Sequence, residues 1–210
     1  MKDIEGFISG FKRFQNTWLG SDKTLFDELR EGQSPKAMLI GCSDSRVDPA
    51  ILTDCLPGEL FIVRNVANLV PPCRPDEGHH GVSAALEYAV CHLNVEHIIV
   101  LGHSQCGGIK GLMDGICECS KQSFIGSWVG IAQAAKEKVL KELSHKPVEV
   151  QNQACEKAAI LLSLENLLSF PWIKERVENG SLELHGWYFD LQAGTLSGLS
   201  QETGNFIPLA

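Results

Sequence analysis

Over the first twenty residues the apolar positions fall at three- and four-residue steps. Ile4, Phe7, Ile8, Phe11, Phe14 and Trp18 make one stripe, which predicts an amphipathic helix. Gly20-Ser21-Asp22 ends it, and a second short helix carries Leu25, Leu29 and Arg30. The period then changes. Ala37 to Cys42 and Phe61-Ile62-Val63 are short continuous apolar runs, as expected of strands buried on both faces. His97 to Gly102 is a third such run, and Leu182 to Asp190 reads as a long strand that turns at Gln192-Ala193-Gly194 toward Thr195-Leu196. Between the strands, helices are predicted over Val82 to Leu93, from Ile109 to Met113, over Phe124 to Leu143, and from Ala154 to Leu168, where Phe170-Pro171 ends the last.

Strands alternating with helices require parallel crossovers and a sheet covered on both faces. The expected fold is therefore α/β: a mostly parallel central sheet flanked by helices, with a hairpin at its C-terminal edge. The sequence shows no repeat, low-complexity stretch or linker. A single domain is expected over residues 1–210, with residues 1–30 as an N-terminal helical arm. The arm's stripe suits packing on a partner subunit or on the chain's own core. In open parallel sheets, ligands bind beyond the carboxyl ends of the strands. Two predicted strands lead to metal-ligand residue types there, the first at Cys42 and the third at His103.

Composition narrows the function. Hydrophobic residues make up 44% of the chain, enough for a core that needs no metal to hold it, so a metal would be functional. The net charge of -8 is a poor match for nucleic acid or an anionic membrane surface. No apolar run is long enough to span a bilayer, and the acidic N-terminus lacks a signal-peptide core, so a cytoplasmic location is expected. The eight cysteines are scattered, unlike a secreted disulfide framework. Cys55, Cys91 and Cys155 are expected to be small buried hydrophobes. Cys117 and Cys119 form a weak metal or redox hint, since no second pair accompanies them.

Two segments carry the chemistry: Cys42-Ser43-Asp44-Ser45-Arg46 and His103-Ser104-Gln105-Cys106-Gly107-Gly108. Two thiolates and an imidazole from Cys42, Cys106 and His103 make a tetrahedral zinc set with one position open, the arrangement of a catalytic rather than a structural site. Asp44 and Arg46 sit on alternate positions of an extended segment and so face the same way. A bidentate pair would keep Asp44 ionised and turned off the metal, able to accept the proton of a zinc-bound hydroxide, or it is a structural salt bridge capping the loop. Two thiolates cancel the charge of zinc, so its water should be less acidic than at a three-imidazole site, and activity should rise with pH above neutrality. Gly107-Gly108 opens a helix and offers backbone N–H groups to an anion, or is a plain tight turn.

Together these residues resemble the β-class carbonic anhydrases. Cys42-x-Asp44-x-Arg46 and His103-x-x-Cys106 match that family's metal and dyad motifs. The likeness extends from Gln33 to Asp190 through Gly32 to Lys36, Arg64 to Pro72, Leu86 to Val90 and Gly102 to Lys110. It implies reversible hydration of carbon dioxide to bicarbonate and a proton by attack of zinc-bound hydroxide. One zinc per chain would be held by Cys42, His103 and Cys106, with Asp44 and Arg46 as the catalytic dyad. Gln33 matches a position that donates a hydrogen bond to substrate across a dimer interface; Phe61, Val66 and Tyr88 match positions lining a narrow apolar pocket, and Gly107 falls at the substrate side of the site. Leu39 stands where one form of the family has a Trp that helps hold a regulatory bicarbonate. With Gln33, this is similar to the plant-like, open form. The resemblance also implies a homodimer as building block, assembled to a tetramer or higher.

Hydration releases a proton, and His92, one helical turn after Tyr88, is a candidate shuttle or a core histidine bonded to backbone. His79 and His80 lie in a predicted loop. Three other readings share parts of the site. A sister hydrolase would act on an analogue such as carbon disulfide. A non-catalytic zinc protein would need a broken dyad, whereas Asp44 and Arg46 are both present. A cysteine-nucleophile or redox enzyme would need a low-pKa thiolate without a metal.

Overall fold

The structure is a computed structural model, and it describes residues 2–20, 23–76, 78–115 and 123–210. It divides into two compact units, Met1–Ser34 and Pro35–Ala210. The first holds α1 (Lys2–Trp18) and α2 (Thr24–Leu29). Phe14 meets Phe26 edge-on with ring centroids 5.5 Å apart, and Trp18 lies 6.3 Å from Phe26, so aromatic contact ties the two helices together. The remainder of the stripe is open to solvent in the single chain: Ile4 is 61% exposed, Phe7 74%, Ile8 53% and Phe11 57%.

The second unit is built on six strands: β1 (Ala37–Cys42), β2 (Leu60–Asn65), β3 (His97–His103), β4 (Glu183–Asp190), β5 (Thr195–Leu199) and β6 (Phe206–Pro208). They lie in the order β2-β1-β3-β4-β5-β6. The first four are parallel, and β5 and β6 add antiparallel. The expected hairpin forms, but the edge beyond it belongs to β6, too short to show a period in sequence. Strands β1 and β3 are buried on both faces, as their unbroken apolar runs require. One face carries Met38, Ile40, Ile98 and Val100 into the larger core with Leu86, Ile160, Leu167 and Ile173. The other carries Leu39, Ile99 and Leu101 toward Trp187, Phe189 and Leu196.

The helices are α3 (Pro49–Thr53), α4 (Gly81–Glu87), α5 (Gly107–Met113), α6 (Phe124–Val129), α7 (Gln133–Leu143), α8 (Val148–Leu167) and α9 (Pro171–Glu178). Several differ from expectation for local reasons. The helix over Val82–Leu93 widens after Glu87: Leu93 N–H donates to Tyr88 O, a five-residue step at 3.0 Å. The helix over Phe124–Leu143 breaks into α6 and α7 across a tight turn at Gly130–Ala132, where glycine lowers helix propensity. Helix α8 starts before Ala154, directly after Pro147. Phe170-Pro171 does not only end a helix; Pro171 opens α9 from its first position, where its missing N–H is harmless. Asp48-Pro49 opens α3 likewise, with the Asp48 carboxylate accepting from Ala50 N–H at 3.0 Å. Helix α8 lies close against β3 because Gly102 has no side chain: a Cβ there would stand 2.7 Å from Ile160 Cδ1.

Candidate metal centre

Strands β1 and β3 are adjacent and parallel, so their carboxyl ends bring Cys42 and His103 to the same edge of the sheet. The chain then turns. Ser104 N–H donates to Phe189 O at 2.9 Å, the Ser104 hydroxyl accepts Leu191 N–H at 2.8 Å, and Gln105 takes a left-handed φ of 58°. This brings Cys106 back as the residue that caps α5. The two Sγ atoms lie 3.9 Å apart. One ligand atom each from Cys42, His103 and Cys106 falls within 4.8 Å of the others. All three residues are at most 5% exposed.

The donor set fits zinc. His103 Nδ1–H donates to Ser104 O at 2.9 Å, which fixes the tautomer and leaves a lone pair on Nε2. That Nε2 is buried and has no hydrogen-bond partner. An orphaned imidazole lone pair beside two buried sulfurs is costly unless something electrophilic sits among them. The thiols already lean toward ionisation. A hydrogen bond from Cys106, with His103 alongside, outweighs burial and lowers the Cys42 pKa to about 4. The same contact pushes Cys106 up, so without a cation the pair favours one thiolate.

Beside this cluster Arg46 grips Asp44 in a fork: Nε to Oδ1 at 2.9 Å and Nη2 to Oδ2 at 2.7 Å, with Arg46 N–H on Oδ1 at 3.0 Å. Hydrogen bonding to Arg46 holds the Asp44 carboxyl well below the usual carboxylate range. Arg46 also donates to Gln105 O at 3.2 Å, linking the two motif segments. A second guanidinium holds the first segment from behind. Arg64 donates to Cys42 O at 2.9 Å, to Asp44 O at 2.6 Å and to the Asp48 carboxylate at 2.7 Å.

The loop after β2 is pinned by Asn65, whose amide exchanges hydrogen bonds with both Leu69 N–H and Leu69 O. Within it Ala67 and Asn68 have positive φ, 64° and 47°. Val66 accepts a 2.7 Å hydrogen bond from Trp128 Nε1 at its carbonyl. Its side chain lies over α5, where a Cβ on Gly108 would meet Val66 Cγ1 at 2.6 Å. Gly107 is the first residue of α5.

Phe61 and Tyr88 are near one another, ring centroids 5.9 Å apart, but not near Cys42 of the same chain. Phe61 is four positions before Asn65, the residue opposite Cys42, which is roughly 13 Å along a strand. Tyr88 is 46% exposed and its ring meets that of an exposed His92 at a tilt, centroids 5.5 Å apart, so His92 is not a core histidine. Gln33 belongs to the first unit. His79 and His80 are exposed, and His80 pairs with Asp76 at 2.7 Å. Cys155 is buried as expected and Cys55 partly so, but Cys91, in the widened turn of the helix, is exposed. Cys117 and Cys119 lie outside the described residues.

One residue of the site carries no signal in sequence. Glu156, on α8, is 4% exposed and accepts Cys106 N–H at 3.0 Å and Tyr188 O–H at 2.8 Å. Burial raises its pKa, partly offset by those donors. It falls among polar residues of a long helix, and only the tertiary fold places it behind the Cys106 turn.

Comparison with known proteins shows the family. Residues 37–196 match the family model described as carbonic anhydrase. Two relatives of Arabidopsis thaliana are similar: β-carbonic anhydrase 3, 42% identical over 91% of this chain and 75% of its own length, and the chloroplastic β-carbonic anhydrase 5, 45% identical over 86% of this chain. The chain spans 59% of the latter's length. Among solved structures, the β-carbonic anhydrase CcaA superposes with a TM-score of 0.93 at 33% identity, covering 100% of this chain and 93% of that one. A β-carbonic anhydrase of Sordaria macrospora, one of two described as tetrameric, gives a TM-score of 0.76 at 29% identity, with 94% of each chain covered. The chain belongs to the carbonic anhydrase family, in its β class.

Proposed function

We propose that this enzyme catalyses the reversible hydration of carbon dioxide at a zinc ion held by Cys42, His103 and Cys106, with Asp44 and Arg46 as its catalytic dyad. The observation that carries this is the orphaned His103 Nε2 among two buried sulfurs, next to a carboxylate already occupied by a guanidinium. When bound, zinc would acidify a coordinated water, less than with three imidazoles because two thiolates offset its charge, and so would supply hydroxide chemistry above neutral pH. Asp44, kept ionised by Arg46, offers an acceptor for the O–H of the nucleophile and so orients a lone pair toward substrate. Because Arg46 engages both its oxygens, Asp44 is turned from the metal cluster, which supports the open form of the site. Arg64 and Glu156 act as positioning residues for the two ligand segments.

The pocket is proposed to be completed by a second copy. Val66 and Gly107 stand beside the ligand segments, whereas Phe61 and Tyr88 form a partly exposed pair far from their own Cys42. Facing the Val66 side of a partner, Phe61 and Tyr88 would close an apolar space suited to a small uncharged gas, and Gln33 keeps the substrate-bonding role that the family resemblance implies. The tetrameric description of the Sordaria macrospora relatives and the exposed α1 stripe support a dimer as the building block and a tetramer above it. Residues 1–30 then serve as an arm on a single catalytic domain. His92, exposed on Tyr88, remains the candidate proton shuttle. No helix among the described residues is long and apolar enough to cross a membrane. We place the enzyme in the cytoplasm, a reading supported by its scattered cysteines, which do not space like a secreted disulfide framework.

The test is stopped-flow hydration of carbon dioxide with a pH indicator at about pH 8.5, on protein of measured zinc content. Fast turnover with one zinc per chain is expected. Zinc without turnover would overturn the assignment of substrate, and turnover without zinc would overturn the site.

A further inference from the structure

At the opposite end of β3 from His103, a second group of ligating side chains converges. His97 opens β3 and Glu183 opens β4, opposite one another in register, and His185 pairs with Ile99 two positions on. Alternation along a strand puts all three side chains on one face of the sheet. His97 Nδ1 and His185 Nε2 are 3.2 Å apart, and Glu183 Oε2 is 3.7 Å from each of them. The two rings are tilted at 52° with centroids 5.2 Å apart, so their nitrogens, not their faces, meet.

These distances discriminate between two explanations. A hydrogen bond between the two rings accounts for 3.2 Å, whereas the carboxylate, at 3.7 Å from each, is too far to accept a hydrogen bond and would hold only a protonated ring, as an ion pair. Three ligands on one tetrahedral ion at bond lengths of about 2.0–2.1 Å stand roughly 3.3–3.4 Å from each other. All three separations are near that edge length. The neighbouring charges do not compete for the site: Glu96 is tied to Lys36 in an ion pair.

We propose that His97, Glu183 and His185 form a second divalent-metal site, for a borderline first-row cation of the zinc, cobalt and nickel class, with its remaining position open to water. Imidazole and carboxylate donors suit these ions, and the absence of thiolate makes the site weaker and more exchangeable than the Cys42–His103–Cys106 centre. It is also accessible, the side chains being 41% exposed for His97, 65% for Glu183 and 34% for His185. Burial lowers the His185 pKa, which favours the neutral ring with its lone pair available. Six residue steps of β3 separate the two sites by roughly 20 Å, so this ion would touch no group of the catalytic centre.

The experiment is isothermal titration of the purified protein, its resident metal first counted by elemental analysis, with zinc chloride. One further equivalent per chain is expected, with a dissociation constant in the micromolar range. His97→Ala and His185→Ala should each weaken it by about 10-fold or more while the resident metal count stays as in wild type. His145→Ala, an exposed histidine elsewhere, should leave it unchanged. Should His185→Ala lose solubility, Glu183→Gln at the exposed third ligand replaces it and should weaken the extra equivalent likewise. The proposal is overturned if no further equivalent saturates below about 1 mM, or if it binds equally well to the His97 and Glu183 variants.

Discussion

Asp44 is a charge whose position is set twice over, by the Arg46 fork on its carboxylate and by Arg64 on its backbone carbonyl. Because Arg46 holds its carboxyl below the ordinary range, Asp44 has no titration step between about pH 5 and 9. A rate that climbs through that window must therefore draw its pH dependence from elsewhere, and Asp44→Asn should lower the plateau rate by about 100-fold or more without moving the midpoint. Metal content should stay unchanged, since Asp44 is outside the ligand cluster. A variant whose midpoint shifts instead would make Asp44 the titrating group. Glu156 poses the opposite case. Removing it in Glu156→Ala strands Cys106 N–H and Tyr188 O–H in the interior, at a cost of about 2–4 kcal/mol by urea denaturation. Glu156→Gln keeps an acceptor for Cys106 and should cost less. The raised carboxyl pKa means a contribution present below the ordinary value and lost as pH rises through the folded one. Gln has nothing to lose there, so the gap between Glu156→Gln and wild type should narrow from pH 4 to pH 8.

Among the elements, the loop after β2 and the start of α5 are fitted to one another through the missing side chain of Gly108. A methyl there would stand 2.6 Å from Val66 Cγ1 and 3.0 Å from Ala67 Cβ. Val66 can rotate, but Ala67 is buried and already at a positive φ, so the loop must move as a whole. Gly108→Ala should cost about 1–3 kcal/mol in thermal or urea unfolding and slow turnover more than it weakens metal retention. An unfolding midpoint equal to wild type would show the loop to be softer than its contacts imply. These elements also show what could be read in the chain beforehand. Strands β1 and β3 were legible because burial on both faces leaves an unbroken apolar run, and the same runs lead to Cys42 and His103. Helices α3 and α9 were not, because Pro49 and Pro171 open them at a position where proline otherwise signals an ending. Glu156 and the strained Ala67 were invisible for a different reason: neither a buried carboxylate's partners nor a left-handed alanine leaves a local pattern.

At the scale of the whole molecule, one chain carries an aromatic pair away from its own candidate metal ligands and, in its other unit, an exposed apolar stripe. The proposed metal ligands and dyad are gathered in the second unit, yet Phe61 lies well down β2 from the level of Cys42, and its neighbour Tyr88 is 46% exposed. Four large apolar side chains of α1 are each more than half exposed as well, the kind of contiguous apolar patch that marks an interaction surface. Burying them on a second copy would recover about 25 cal/mol for each Å² of apolar surface removed from water. Placing a charge in the stripe should reverse that gain without touching the catalytic residues. Phe7→Glu combined with Phe11→Glu is therefore expected to shift the protein to a smaller assembly by light scattering while the zinc content stays at one per chain. If the pocket is shared between copies, that smaller form should lose most of its turnover, and raising protein concentration should restore part of both the assembly and the rate. A variant that dissociates to monomer yet hydrates carbon dioxide at the parental rate would show that each chain builds its own pocket, and Phe61 and Tyr88 would then have to be assigned to packing alone.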